Sequence, residues 1–445
     1  MPAPAHQITR RSALRGLAAG AAALAAPGVF RKHALAAPSE TLRHASFGAS
    51  GMALADVRSL AASPHFKLVA VADVDLSRTG EIKSLFPDVT VYQDWRELLD
   101  KEKGLDSVNV STPDHMHAPI AMSALQRGLH VYGQKPLTQT IHEARRLTEA
   151  AARETKLVTQ MGIQIHSHPV HRQVVATIKS GAIGKVKEVH SWSGKDWGDR
   201  NPRPDRTDPV PAGLSWDGWL GVAAERPFLD GYYHPGNWRK RLDFGTGTFG
   251  DMGCHILDPV YEALALTAPK SVRSDGDTPG ADSWGLDNRV HYVFPATPHT
   301  AEELSLHWYN GAHRPSDEIK ALLGGREMAG QGSIYIGSEG VLYSPYIDAP
   351  VLLPEDKFKE TKLPEVQGAD HYVQFLDACR GEGQASAPFA YAGPLTEMVL
   401  LGCLATRFPQ TTLEWDAPSL KVVNSPEATA LVRKKYRSGW EVEGL

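Results

Sequence analysis

Cysteine is scarce in this chain: Cys254, Cys379 and Cys403 are the only three in 445 residues, and they lie far apart. Three scattered thiols build neither a disulfide framework nor a thiolate metal site. Charge of one sign is lacking too. With 47 Lys and Arg against 51 Asp and Glu, the net charge of -4 leaves no basic footprint for nucleic acid. Long apolar runs are also missing, because the uncharged stretch from Gly16 to Phe30 is rich in Ala and Gly and falls short of the ~20 residues that span a bilayer. No stable membrane span is expected. Histidine is plentiful, but its densest group, His166, His168 and His171, has no acidic run beside it, so no metal site is expected.

The chain has the ordinary hydrophobic content of a globular enzyme, 42%, and exceeds the ~250–300 residues at which one core stops growing. Two domains are expected. At the N-terminus, Thr9-Arg10-Arg11-Ser12-Ala13-Leu14 precedes the uncharged run and the small-residue site Ala34-Leu35-Ala36. This is the pattern of a twin-arginine export signal over residues 1–36, with a mature chain beginning near Ala37 and reaching the periplasm or beyond through the twin-arginine machinery. That route carries folded cargo, which suits a protein loaded with a cofactor before export.

From Leu42 strands and helices alternate. A strand ending at Phe47 is followed by Gly48-Ala49-Ser50-Gly51-Met52-Ala53, which overlays a dinucleotide loop with Ser50 and Ala53 at its second and third glycine positions. Small residues there let backbone approach a pyrophosphate at a helix N-terminus. Asp73 closes the next strand, placed to accept the adenosine ribose hydroxyls, which favours NAD over NADP. Further strands are predicted at 107–110, 130–132 and 157–160, with helices at 95–99, 118–128 and 142–154. Ser111, Thr112, Pro113, His115 and His117 follow the first of these strands and Gln134 and Lys135 the second, at the strand ends where open α/β sheets bind ligands.

Lys135, Asp251 and His255 together suit hydride chemistry on an alcohol carbon. Such chemistry needs a base for the hydroxyl proton, a cation for the developing alkoxide and a hydride acceptor. If Gly250 to His255 is helical, Asp251 and His255 share one face. Upstream, Tyr233, His234, Asn237, Trp238 and Arg239 gather aromatic and hydrogen-bonding groups that suit a sugar, whose ring has apolar faces and polar edges. Residues 201–211 are rich in Pro, Asp and Arg and read as a long loop. A helix is predicted over 394–407, with Cys403 packed on it, and Cys379 packs on another with Tyr372, Phe375 and Leu376.

Ser111-Thr112-Pro113-Asp114-His115, Gln134-Lys135-Pro136 and Asp251-Met252-Gly253-Cys254-His255, in this order behind a glycine loop, resemble the Gfo/Idh/MocA oxidoreductases. Ile336-Gly337-Ser338-Glu339-Gly340 and Tyr391-Ala392-Gly393-Pro394 resemble the secreted bacterial branch of that family. The family usually has Glu at 134 and Gly at 50. The resemblance implies an α/β chain with an N-terminal Rossmann domain over 37–161. Its NAD contacts would be Gly48, Ser50, Gly51, Met52, Asp73, Ser111, Thr112, Pro113, His115, His117, Gln134 and Lys135. It also implies a C-terminal α/β domain over 162–445 with a large open mixed sheet that binds substrate and pairs copies into a homo-oligomer. Strand-like runs at 186–192, 288–294 and 303–309 are compatible with that sheet.

The expected activity is oxidation of a CH–OH group on a sugar or sugar-derived alcohol. His255 would act as base, Lys135 as alkoxide stabiliser and Asp251 as the group that orients the substrate or His255. Because no NAD pool exists outside the cytoplasm, the cofactor would be held tightly and recycled in place. A redox-neutral cycle of transient oxidation and glycoside cleavage or elimination meets the same constraint, and a sugar-binding protein without turnover is the non-enzymatic alternative.

Overall fold

The computed structural model describes residues 40–445. The export signal read at residues 1–36 lies outside the described residues. Among them no helix is long and apolar enough to cross a membrane.

Six strands form the first sheet: β1 (Leu42–Phe47), β2 (Phe66–Ala72), β3 (Thr90–Tyr92), β4 (Ser107–Val110), β5 (His130–Gly133) and β6 (Thr159–Met161). They are all parallel in the order β3-β2-β1-β4-β5-β6. This is the doubly wound order whose switch point falls between β1 and β4, where a crevice opens at the strand C-termini. Helices α1 (Met52–Leu60), α2 (His117–Leu125) and α3 (Ile141–Arg153) are among those that link these strands. All four residues of β4 and every residue of α2 are buried, as a sheet covered on both faces requires. A capping box starts α3, with the Thr140 hydroxyl accepting from the Glu143 amide and the Glu143 carboxylate accepting from that of Thr140.

The second sheet has nine strands: β7 (Val186–Ser193), β8 (Ser271–Ser274), β9 (Asn288–Pro295), β10 (Thr300–Asn310), β11 (Gln331–Gly337), β12 (Val341–Ser344), β13 (Val351–Leu353), β14 (Thr412–Asp416) and β15 (Lys421–Val422). Their order is β13-β12-β11-β7-β10-β9-β8-β14-β15. Only β7 and β10 run parallel, so the sheet is mixed. The strands expected at 186–192, 288–294 and 303–309 are its three central members, and residues 201–211 are a loop.

Helices α4 (Pro169–Lys179), α5 (Gly247–Ala263), α6 (His371–Cys379) and α7 (Phe389–Ala405) complete the part of the fold that builds the site. Apolar side chains surround α7, and it is buried along nearly its whole length in a core running from Phe47 and Val108 to Tyr292 and Trp308. Arg145 of α3 clamps α7 through two 2.8 Å bonds to Glu397. Phe249 of α5 stacks on Trp308 of β10 at 4.6 Å, which seats α5 on the second sheet. Cys379 and Cys403 are buried and unpaired, as their helical spacing implies.

Several boundaries shift by one to a few residues from the sequence reading, the helix read at 118–128 ending at Leu125 for example, and two of the shifts have a clear local cause. The strand expected at 157–160 starts at Thr159, because Leu157 bonds the Glu154 carbonyl and so still belongs to the turn leaving α3. The helix expected to begin at Pro394 begins at Phe389 and carries Pro394 inside it. Tyr391 and Ala392 both donate to the Pro388 carbonyl at 2.8 Å, which establishes the first turn. Pro394 forfeits one backbone bond, and burial of both flanking turns offsets that loss.

Candidate active site

A cleft of about 290 Å³ opens at the C-terminal ends of β1, β4 and β5. Its floor is the glycine loop. Gly48 has φ of 104°, and a Cβ there would lie 2.8 Å from the Ser111 carbonyl oxygen, so no side chain fits between the loop and β4. Gly51 caps α1 with φ of 58°, a left-handed conformation that turns the chain into the helix and directs the first amides of α1 at the cleft. Ser50 takes the middle glycine position with its hydroxyl 3.0 Å from Arg78 Nε. These features fit a dinucleotide pyrophosphate.

Asp73 lines the cleft beyond β2, but both of its oxygens are already engaged, one by the Ala49 amide at 2.9 Å and one by the Asp75 amide at 3.0 Å. The carboxylate therefore braces the glycine loop at the place where ribose hydroxyls would arrive. Burial raises its pKa, against the pull of those two amides.

Behind the loop lies a buried polar network that sequence reasoning missed. Asp56 of α1 accepts from Gln134 Nε2 at 3.0 and 2.9 Å, from the Ser111 hydroxyl at 2.7 Å and from the Tyr372 hydroxyl at 2.9 Å. Burial pushes the Asp56 carboxyl up to about 6, and these donors oppose the rise. The network explains why position 134 is an amide. A glutamate there would set a second carboxylate against Asp56, whereas Gln134 donates to it and accepts from the Lys135 amide at 3.1 Å. The missed signal was an acid in the middle of an otherwise apolar helix face.

Lys135 Nζ lies 2.8 Å from Asp251 Oδ1 and 3.0 Å from the Asp251 carbonyl oxygen. Burial is the largest influence and works against the lysine charge, but Asp251 together with the acidic neighbours Cys254 and Asp114 raises the Lys135 pKa overall. The Asp251 carboxyl is lowered despite its own burial, because Lys135 and Arg239 stand beside it. Arg239 Nε is 3.7 Å from Asp251 Oδ1 and its guanidinium lies over the Trp238 ring at 4.2 Å. Asp114, also in the cleft wall, accepts from the Thr246 hydroxyl at 2.8 Å, and burial raises its carboxyl to about 7. Nothing in the local sequence sets it apart from the rest of the Ser111–His115 segment.

The remaining sequence candidates divide between cleft and surroundings. Met52, Thr112, Pro113, His117, His234 and Trp238 line the cleft. His117 bonds the Pro136 and Thr112 carbonyls, each at 2.8 Å, and so ties the two strand-end motifs together. His115 points away: it bonds the Trp219 carbonyl at 3.1 Å and packs edge-on against Phe244. Tyr233 is wholly buried with its hydroxyl 3.0 Å from Arg203 Nε, and Asn237 closes a turn on the Gly231 carbonyl at 2.7 Å. His255 lies one turn beyond Asp251 on α5, but it lines a separate small cavity with His171, Ser333 and Tyr346. Its Nδ1 is enclosed without a hydrogen-bond partner, and burial lowers its pKa to about 3.

Comparison with known proteins gives the same picture. Residues 42–162 match the family model described as oxidoreductase family, NAD-binding Rossmann fold, and residues 169–300 match that of its C-terminal alpha/beta domain. A levoglucosan dehydrogenase from Pseudarthrobacter phenanthrenivorans is 25% identical over 197 residues, 44% of this chain and 42% of that one. An inositol 2-dehydrogenase from Rubrobacter xylanophilus is 30% identical over 129 residues, 29% of this chain and 37% of that one. The matched segment thus spans less than half the length of either relative. The WlbA dehydrogenase of Bordetella pertussis, solved with NADH and UDP-GlcNAcA, superposes with a TM-score of 0.60 at 13% identity, covering 85% of this chain and 98% of that one. The glycine loop, the Lys135–Asp251 pair and the two consecutive domain matches lead to one assignment: this chain belongs to the Gfo/Idh/MocA oxidoreductase family, with an NAD-binding Rossmann fold followed by the family's C-terminal α/β domain.

Proposed function

We propose that the protein is an NAD-dependent oxidoreductase acting on a CH–OH group of a sugar or sugar-derived alcohol. The observation that carries this reading is the Lys135–Asp251 pair, set at the strand ends in the same cleft as the glycine loop. The relatives named for levoglucosan and inositol supply the substrate class. Bound in the cleft, NAD supplies a two-electron acceptor for hydrogen leaving the alcohol carbon. Gly48, Ser50, Gly51 and the first amides of α1 would hold its pyrophosphate, and Asp73 its ribose.

The protein's own groups do the rest. Lys135 stays charged and donates to the substrate oxygen as that oxygen gains negative charge. Asp251 holds the ammonium in place, and the partial neutralisation suits a hydroxyl better than a free anion. The hydroxyl proton passes to Asp251 in this proposal, a carboxylate that is ionised and lines the cleft; His255, one turn away, is neutral and enclosed in a separate cavity, so it stands behind Asp251 and does not meet the substrate. Trp238, with the Arg239 guanidinium over its ring, steadies Arg239 in the cleft wall, where it offers a donor to the polar edge of a sugar.

Cofactor retention is part of the proposal, and the loops that follow residue 210 support it. Leu76 donates to the Gly213 carbonyl at 3.0 Å, Ser215 to that of Val74 at 2.8 Å, and Gln93 Nε2 to that of Gly213 at 2.8 Å. His234 Nε2 meets Asp75 Oδ2 at 2.8 Å. Together these contacts strap the second domain's loops across the end of the cleft nearest Asp73. A strapped cofactor suits the exported, periplasmic life that Arg10 and Arg11 imply and that forms part of this reading, as does a homo-oligomer. The test is to denature the purified mature protein and quantify released nucleotide by mass spectrometry, then assay sugars without added NAD. Near one NAD per chain with turnover of a sugar supports the proposal; a site that is empty and fails to take up added NAD overturns it.

A further inference from the structure

Helix α5 carries a second polar stripe. Asp251, His255, Asp258 and Glu262 recur at intervals of four, three and four residues and so share one face. The first of them faces the cleft. The last two face His166, from the short helical turn Gln164–Ser167, and His171 of α4. His171 Nε2 lies 3.2 Å from Glu262 Oε2, and His166 Nδ1 lies 4.0 Å from the same oxygen. One ligand atom from each of these three residues lies within 4.8 Å of the others. A zinc ion bonded tetrahedrally at ~2.0–2.2 Å sets its donors roughly 3.3–3.6 Å apart, so the His171–Glu262 spacing of 3.2 Å already suits it and the His166–Glu262 spacing of 4.0 Å must close by about half an ångström.

We propose that His166, His171 and Glu262 form a binding site for a divalent cation of zinc's class. Two imidazoles and one carboxylate are the donor types that such a cation selects. Asp258 holds His166 Nδ1 at 3.0 Å, a hydrogen bond that the cation would replace, and it supplies the supporting carboxylate for His171. Its Oδ2 is 3.4 Å from His171 Nδ1, the nitrogen opposite the one that faces Glu262, and it is itself held by the Tyr391 hydroxyl. A ligating histidine is usually oriented by a carboxylate on its other nitrogen in this way. The His171 side chain is wholly enclosed, yet its Nδ1 makes no hydrogen bond, so the ring has not settled on Asp258. A cation on Nε2 would fix the tautomer and turn Nδ1–H toward Asp258.

Access is open from one side, because the Glu262 side chain is 30% exposed and Lys179 Nζ engages only its other oxygen, at 3.3 Å. Glu262 lies 11 residues along α5 from Asp251, about 16 Å at the helical rise. The cation would therefore not touch substrate. It would tie α4 and the turn before it to the helix that presents Asp251. A second cluster, Glu188 with His190 and His307, is less suited, because its imidazoles stack at 4.6 Å with planes 6° apart and both Nε2 atoms crowd one Glu188 oxygen.

The experiment is elemental analysis of untagged protein, followed by equilibrium dialysis against zinc alone, for wild type, His171→Ala, Glu262→Gln and Glu188→Gln. One zinc per chain is expected in wild type and Glu188→Gln, with affinity falling tenfold or more in Glu262→Gln and His171→Ala. Zinc should also raise the thermal midpoint of wild type but not of Glu262→Gln, an isosteric change at a partly exposed side chain whose folding is checked by its midpoint without zinc. No zinc uptake by folded wild type overturns the proposal. Uptake that survives Glu262→Gln, or that vanishes only in Glu188→Gln, overturns it equally.

Discussion

The two ends of α5 hold the same ingredients in opposite settings. At its N-terminal end Asp251 meets a permanent cation, Lys135, in a cleft large enough for ligands. Toward its C-terminal end Asp258 and Glu262 meet two imidazoles, whose charge is conditional, beside a cavity of about 10 Å³. A carboxylate paired with lysine keeps its partner charged and positioned while leaving donors for a substrate. A carboxylate paired with histidine holds a proton or a cation instead. Burial is similar in both places, so it is the partner that separates a reaction site from a binding clip.

The largest effect that tests this contrast is in the cleft. Lys135→Ala should lower kcat/KM by roughly a thousandfold while nucleotide still copurifies, since one preorganised donor at a developing charge is worth about that much. Near-normal turnover would remove Lys135 from the chemistry. Asp251→Asn should cost both activity and about 3 kcal/mol of stability, because it leaves a buried ammonium unpaired. The double variant Lys135→Met/Asp251→Asn should recover most of the stability and none of the activity. Denaturant melts of the three variants decide this; a double variant no more stable than Asp251→Asn would mean that the pair is not coupled.

Acid should act through the imidazoles. His44, His117, His190, His307 and His371 are lowered to about 4 and His115 and His255 to about 3, burial being the largest cause in each. The folded state therefore binds fewer protons than the unfolded chain below about pH 6.5, so stability falls as pH drops from there toward 4. Asp56 and Asp114, raised to about 6 and 7, act in the opposite sense. Asp73, Glu143, Glu397 and His166, also raised, add to that opposition, but the seven strongly lowered imidazoles dominate, and a thermal midpoint that declines across this window is expected; a flat profile would show that these rings are hydrated.

Smaller effects separate the cleft from its supports. Gln134→Glu should cost about 1–3 kcal/mol at pH 8, because a buried donor becomes a second acceptor against Asp56, and the loss should shrink as pH falls and one carboxyl protonates. A cost independent of pH would point to packing. Asp73→Ala should weaken NAD binding, measured by titration into nucleotide-free protein, while loosening the glycine loop that its carboxylate braces. Unchanged affinity would place the ribose elsewhere.

Much of this architecture was legible in the chain. The glycine loop, Asp73 and the strand-end segments carrying Ser111 and Lys135 depend on short-range rules of spacing and backbone conformation, and the structure gathers most of them in one cleft. His115, Tyr233 and Asn237 looked equally suitable, yet they serve packing or turns, because local sequence does not say which way a loop side chain points. Asp56 and Tyr372 were invisible as partners, since 316 residues separate them and only the docking of α6 beside α1 brings them within a hydrogen bond.

The sequence by itself determined the alternation of strand and helix, the nucleotide loop and the candidacy of Lys135 and Asp251. These follow from periodicity and from glycine's conformational freedom, which are properties of neighbouring residues. Tertiary structure alone decided that Gln134 answers Asp56, that His255 is enclosed outside the cleft and that His166 and His171 meet Asp258 and Glu262. Burial and charge pairing between distant segments fix such relations, and they exist only once the two sheets have closed around α5 and α7.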